Sequence, residues 1–162
     1  MKSFCITILI AMFISISIKG TYAQTPQTKL NQVELMKQFI GTWECELGKR
    51  TIYRSDNKQF GNGMACIIQV ISNGEIVDSV EQLFGYDANT DKFVLAELIK
   101  SSSIVEISSA WFTSEHTGEI VTTDPDGGEP KFNFEFITPD LIKETAMLDN
   151  NMVVEMEFNR VK

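Results

Sequence analysis

The sequence predicts an all-β protein, a single up-and-down antiparallel β-barrel of about 8–10 strands, preceded by a short N-terminal helix. Phe132, Phe134 and Phe136 alternate with polar residues, and the segment 152–158 repeats the alternation. This two-residue period is typical of half-buried antiparallel strands. Turn residues recur at short intervals between such segments. Hairpin-linked strands of this number close most economically into a barrel, because closure removes the exposed edges.

Ten segments fit this strand pattern. They lie near residues 42–48, 50–55, 64–72, 75–85, 92–99, 103–113, 117–123, 130–137, 140–148 and 151–161. Asn73-Gly74 joins two of them and has the composition of a type I′ hairpin turn, in which both central residues need positive φ. A sandwich of two packed sheets is the alternative architecture for the same strands.

A helix is predicted to open the fold. Apolar residues recur at helical spacing between Leu30 and Ile40. Asn31 and Glu34 have the spacing of a capping box, in which the N-cap side chain and the side chain three residues later satisfy free backbone N–H groups. Gly41 is expected to end the helix and to lead the chain into the first strand.

The first 23 residues have the organisation of a signal peptide. Lys2 precedes an apolar run over residues 6–18, and Thr21-Tyr22-Ala23 forms a small-residue processing site. We therefore expect cleavage near Ala23, export to the periplasm or the extracellular space, and a barrel domain over residues 24–162. An uncleaved anchor is the alternative. The run is shorter than the roughly 20 residues of a membrane-spanning helix, so no integral membrane span is predicted.

Charge excludes two classes of partner. The chain has 14 basic and 22 acidic residues. Without residues 1–23, which hold two lysines and no acid, 12 basic and 22 acidic side chains remain, with a formal charge of −10. Nucleic acids and anionic membranes are bound through clustered Lys and Arg, which replace counterions. Neither is therefore expected as a partner.

Several segments together resemble a known family. Gly41-Thr42-Trp43 has the Gly-x-Trp that opens calycin-type barrels, and further resemblance lies in Phe84-Gly85-Tyr86-Asp87, in Lys92-Phe93-Val94 and in residues 153–160. These segments resemble the DUF1579 family of lipocalin-like, mostly bacterial proteins of unknown function. The resemblance implies the fold and one structural contact. In lipocalin-like barrels an arginine of the last strand commonly lies across the tryptophan of the first, which points to Arg160 and Trp43.

The barrel interior is the first candidate site. The lining is expected to be rich in aromatic and methionine side chains, namely Trp43, Trp111, Phe134, Met147 and Met156. Barrels of this size hold one small ligand, and such side chains adapt to apolar molecules. The sequence therefore predicts a non-enzymatic protein that binds a small apolar ligand, with no cofactor. The same side chains could instead fill the barrel as a solid core, in which case the outer wall would serve protein interaction.

An enzyme is the further alternative. Glu97 and Glu106 stand in otherwise apolar strands. A carboxylate that points into the barrel would have a raised pKa suited to proton transfer in an isomerase or a cyclase. Outward-facing, solvated glutamates are the ordinary interpretation, because charged side chains are rarely buried without a partner.

Other chemistry finds little support in the sequence. His116 lies in a turn between two strands, where an exposed loop residue is expected and a haem ligand is the alternative. Residues 87–91 start like a calcium loop, but Lys92 and Leu98 stand where such a loop needs a glycine and a glutamate. In the acidic segment 124–128, Gly128 and Glu129 stand where an oxygen ligand and a glycine are needed. Both segments are interpreted as turns, with a weak surface calcium contact at the second as the alternative. No metal site is predicted. Cys45 and Cys66 are expected inside the barrel, either as a disulfide or as two buried thiols.

Overall fold

A computed structural model describes residues 29–102, 105–122, 131–148 and 152–162. The predicted signal peptide lies outside these residues, as do the acidic turn 124–128 and the turn 149–151. In the described part of the chain, no helix has the length and apolar character needed to cross a membrane.

The chain begins with a short helical segment. Helix α1 spans Gln32–Met36 and continues as one 3₁₀ turn over Lys37–Phe39. The Glu34 backbone N–H donates to Asn31 Oδ1 at 3.2 Å, which is one half of the predicted capping box. The other half is missing, because the Glu34 carboxylate instead accepts a hydrogen bond from Lys37 Nζ at 2.6 Å.

Ten antiparallel strands follow and close into one barrel. They are β1 (Gly41–Gly48), β2 (Thr51–Phe60), β3 (Gly63–Ser72), β4 (Glu75–Asp87), β5 (Lys92–Ile99), β6 (Val105–Phe112), β7 (Thr117–Thr122), β8 (Lys131–Thr138), β9 (Leu141–Leu148) and β10 (Met152–Arg160). Each strand pairs with its sequence neighbours, and β1 pairs with β10. The predicted up-and-down barrel is therefore confirmed, and the two-sheet sandwich is excluded.

The hairpin between β3 and β4 has the predicted turn. Asn73 has φ 53° and Gly74 has φ 83°. Two successive positive values are the signature of a type I′ turn, whose twist matches that of the flanking strands.

The helical segment closes one end of the barrel. Phe39 makes aromatic contacts with Phe112, Phe134 and Phe136, with ring centroids 6.0, 5.1 and 4.9 Å away. The Gln32 amide forms two hydrogen bonds with the backbone of Phe112, at 2.8 and 3.0 Å. These contacts fix the segment against β6 and β8. The largest fully buried side chains, Trp43 and Phe93, belong to the core at this end.

Arg160 joins the last strand to the first and to the helical segment. Its guanidinium carbon lies 4.1 Å from the centre of the Trp43 ring, so the predicted contact is present. The guanidinium donates hydrogen bonds to the backbone carbonyls of Gln38, Ile40 and Pro139. Trp43 Nε1 in turn donates to the Phe39 carbonyl at 2.8 Å. Side chains thus satisfy three carbonyls of the helical segment, at the end of the barrel that the segment closes.

The two described cysteines are free and buried. Cys45 faces Tyr53 across β1 and β2, whereas Cys66 faces Asn57 across β2 and β3. Tyr53 and Asn57 are four residues apart, which is about 13 Å along a strand. Since a disulfide needs Cα atoms within roughly 7 Å, these cysteines do not pair in this fold. Burial raises the pKa of the Cys66 thiol to about 12, so it is protonated at neutral pH.

Candidate functional site inside the barrel

The barrel encloses a cavity of about 360 Å³. Its lining comes from all the strands and from the helical segment, which forms its floor. The lining residues fall into an apolar group near that floor and a polar group that begins beside the floor, at Asn57, and continues towards the other end of the barrel. The two groups set different demands on a ligand.

The apolar group surrounds the floor of the cavity. It includes Met36, Phe39, Trp43, Phe112, Phe134, Ile142, Met156 and Phe158. Gly118 makes room for one of these rings, since a Cβ at that position would lie only 2.1 Å from Phe134 Cζ. The floor therefore offers a close-packed aromatic surface to a ligand.

The polar group includes a continuous row on the inner wall. Register partners on successive strands from β2 to β6 form this row, namely Asn57, Cys66, Gln82, Glu97 and Glu106. Gln82 Nε2 donates a hydrogen bond to the Glu97 carboxylate. Beside the row, Ser108 Oγ donates to Thr122 Oγ1 at 3.0 Å. One side of the cavity thus presents side chains that form hydrogen bonds.

Glu144 is a third carboxylate in the cavity wall. It stands in β9 with Phe134 and Met156 as its register partners on either side. No described residue donates a hydrogen bond to its carboxylate, and burial raises its pKa from the ordinary 4.5 to about 7. The partial accessibility of this side chain comes from its position on the cavity wall. The carboxyl group therefore exchanges a proton near neutral pH.

Two of the carboxylates act on the same neighbours. Burial, and after it the charges of Glu144 and Glu97, raise the pKa of the Tyr53 hydroxyl. The same two carboxylates contribute to the raised pKa of the Cys66 thiol. The negative charges of Glu97 and Glu144 therefore act on the same region of the cavity, around Tyr53 and Cys66.

The described lining contains no positive side chain. Of the residues that border the cavity, three are glutamates, and none of those described is Lys, Arg or His. The nearby cations lie elsewhere: Lys92 covers the Trp111 ring on the outer wall, and Arg160 is bound to carbonyls at the closed end. The interior is therefore acidic as well as amphipathic.

The five side chains predicted to line a ligand site have different positions. Trp43, Phe134 and Met156 border the cavity. Trp111 also lies in its wall, but it stands between the buried inner residues Ala110 and Phe112, so its indole is on the outer face. Lys92 Nζ lies 3.5 Å from the centre of that ring. The Met147 side chain lies outside the described residues.

Both glutamates proposed for catalysis face the interior. Glu97 alternates with the buried Phe93 and Leu95, and Glu106 is its partner across β5 and β6. Neither residue points to the outer wall, but Glu106 is exposed to solvent, as the ordinary interpretation expects, whereas Glu97 is only partly exposed. Sequence reasoning missed Glu144, although the signal was present: it alternates with the inner residues Ile142 and Ala146. The adjacent Lys143 gives this strand the appearance of a solvated segment.

The other candidate residues form structural hydrogen bonds in turns. His116 is exposed in the turn between β6 and β7, where its carbonyl accepts a hydrogen bond from Phe136 N at 2.8 Å. The Asp87 carboxylate accepts hydrogen bonds from the Asn89 backbone and the Thr90 hydroxyl, both at 2.9 Å. Over residues 29–102, 105–122, 131–148 and 152–162, no group of three or more His, Cys, Asp or Glu side chains is placed to hold a metal ion.

Comparison with known proteins does not assign the chain to a family. A scan against family models finds no match to the chain, and a search of curated proteins finds none.

Proposed function

We propose that this protein binds a small, largely apolar ligand inside its barrel. The observation that carries the proposal is the cavity of about 360 Å³ with its aromatic floor. Ligand pockets commonly measure about 300–1,000 Å³ and are lined by apolar side chains with a few polar groups. A barrel filled as a solid core would leave no such space. The cavity therefore favours ligand binding over a purely structural interior.

Two further parts of the proposal come from the sequence. The signal peptide predicts that binding takes place outside the cytoplasm. Membership of a lipocalin-like family is in keeping with the closed barrel and with the contact between Arg160 and Trp43. Together these features describe an exported carrier or sensor of a small molecule.

A cavity-filling substitution tests the proposal. Met156 lines the cavity from β10, whereas Val153 on the same strand is 55% exposed on the outer wall. We expect the wild type to take up the neutral fluorescent probe N-phenylnaphthylamine in a saturable manner. Met156→Trp should abolish uptake and lower the free energy of unfolding by only about 1–3 kcal/mol, the usual range for overpacking.

Val153→Trp is the matched control. It adds the same indole to the same strand on the other face, so probe uptake should equal that of the wild type. Saturable uptake that survives Met156→Trp and is lost in Val153→Trp would place the binding site on the outer wall and contradict the proposal.

Glu144 favours a second candidate function. Its carboxyl group lies inside the cavity with a pKa of about 7, which suits general acid–base catalysis at neutral pH. An isomerase or a cyclase that uses Glu144 is therefore the enzymatic alternative, with Glu97 and Glu106 on the opposite wall. Turnover of a bound ligand that is lost in Glu144→Gln, with binding retained, would establish it.

A further inference from the structure

We propose that the ligand is an amine, bound as its ammonium ion, with an apolar body that reaches the aromatic floor of the barrel. This inference rests on the proposed function, because it assigns a chemical class to the ligand of the same cavity. Three features of the cavity carry it: its charge, its excess of hydrogen-bond acceptors and the separation of its polar and apolar parts.

Charge determines which head groups the cavity admits. Glu97, Glu106 and Glu144 border the cavity, and no described Lys, Arg or His faces it. A carboxylate or phosphate head would enter without a counterion and beside like charges, which is unfavourable for a buried ion. An ammonium ion would instead bring a positive charge into this acidic lining. Anionic lipids and fatty acids are therefore disfavoured.

One carboxylate of the wall also lacks a hydrogen-bond donor. No described residue donates to the Glu144 carboxylate. Buried acceptors without donors are costly, and a ligand that carries N–H groups removes that cost. An ammonium ion has three N–H donors and no acceptor, so it complements this wall.

The arrangement of the lining predicts the orientation of the bound ligand. Glu97 is near the end of β5 and Glu106 near the start of β6, at the end of the barrel opposite the helical segment. Trp43 and Phe134 lie near the closed end, where Phe39 packs against Phe134. The apolar body is therefore expected to enter first, and the ammonium group to stay level with the carboxylates.

Three probes of matched shape test this inference. Octylamine, octanol and octanoic acid share one apolar chain and carry, at pH 8, a positive, a neutral and a negative head. Binding is measured by calorimetry with the purified protein. We expect octylamine to bind at least about tenfold more tightly than octanol, a difference of about 1.4 kcal/mol, and octanoate to bind more weakly than octanol.

Variants of the carboxylates separate charge from shape. Glu144→Gln and Glu97→Gln keep the side-chain size and remove one negative charge each. Each should weaken octylamine binding about fivefold or more and change octanol binding by less than about twofold, because a neutral head loses no ion pair. Glu135→Gln, on the exposed outer face of β8, is the control and should leave all three affinities unchanged.

The possible outcomes are distinct for the two proposals. If octanol binds and octylamine binds no more tightly, the barrel is a ligand site but the assignment to amines is wrong. If octanoate binds most tightly of the three, the barrel is likewise a ligand site and the assignment to amines is wrong. If none of the three probes binds and the fluorescent probe is also excluded, both the amine assignment and the proposed function fall.

Discussion

Trp43→Ala is expected to lower the free energy of unfolding by about 3–5 kcal/mol, the usual cost of removing a large aromatic side chain from a core. Trp43 is only 1% exposed, and its indole contacts Phe136 and Arg160 and donates to the Phe39 carbonyl. The substitution therefore leaves a cavity and an arginine without its aromatic partner, and it removes one of the two hydrogen bonds to the Phe39 carbonyl, the other coming from Asn57 Nδ2. Urea denaturation of the two proteins measures the difference.

A double-mutant cycle with Arg160→Ala tests the contact itself. Arg160→Ala removes the hydrogen bonds to three backbone carbonyls and should also destabilise the protein. The double variant should lose less than the sum of the two single losses, by roughly 0.5–2 kcal/mol, because both substitutions remove the same cation–π contact. Arg54, on the outer wall in an ion pair with Glu44, is the control arginine. Trp43→Ala and Arg54→Ala should be additive.

Strict additivity of Trp43→Ala and Arg160→Ala would contradict the contact. The two residues would then stabilise the barrel independently, and the closure of β10 on β1 would not depend on their pairing.

The stability of the protein should fall as the pH rises through the range in which Glu144 ionises. The folded state holds this proton up to about pH 7, whereas the unfolded chain loses it near its ordinary pKa of 4.5. The folded state thus binds more protons between these values, so the free energy of unfolding decreases with pH there. Glu144 alone should contribute a loss of roughly 3 kcal/mol between pH 4.5 and pH 7.

Glu144→Gln isolates this effect. The variant should differ little in stability from the wild type near pH 4.5 and should be the more stable protein at pH 8, since it avoids a buried charge. Asp78, Asp87 and Asp91 have lowered pKa values, so they increase the free energy of unfolding as the pH rises through a more acidic range. Both proteins contain these residues, so their contribution cancels when the variant is compared with the wild type. A difference between the two proteins that is independent of pH would show that Glu144 ionises as an exposed glutamate does.

Much of the fold could be predicted from the sequence, because the signals for it are local. The alternation of Phe132, Phe134 and Phe136 and the Asn73-Gly74 turn depend only on strand pleat and on positive φ. The contact between Arg160 and Trp43 came from a family resemblance, since no local pattern joins residues so far apart. The helix was predicted longer than it is, and its last turn is 3₁₀ instead.

The polar side of the site was harder to predict. Whether a glutamate in a strand faces inward depends on its register with both neighbouring strands, which the sequence does not give. Glu97 and Glu106 were recognised because their flanking residues are apolar, whereas Glu144 lies between Lys143 and Thr145 and has the appearance of a surface residue. Trp111 shows the opposite error in orientation: as a large aromatic residue it was expected inside, but Lys92 covers its ring on the outer wall.

A crystal structure of the protein with octanol tests most directly whether the barrel interior is the ligand site. We expect the alcohol inside the barrel, with its chain among Trp43, Phe134 and Met156 and its hydroxyl towards the glutamates. Side chains that fill the interior completely, with the alcohol absent or bound on the outer wall, would contradict the proposal that this barrel is a ligand-binding protein.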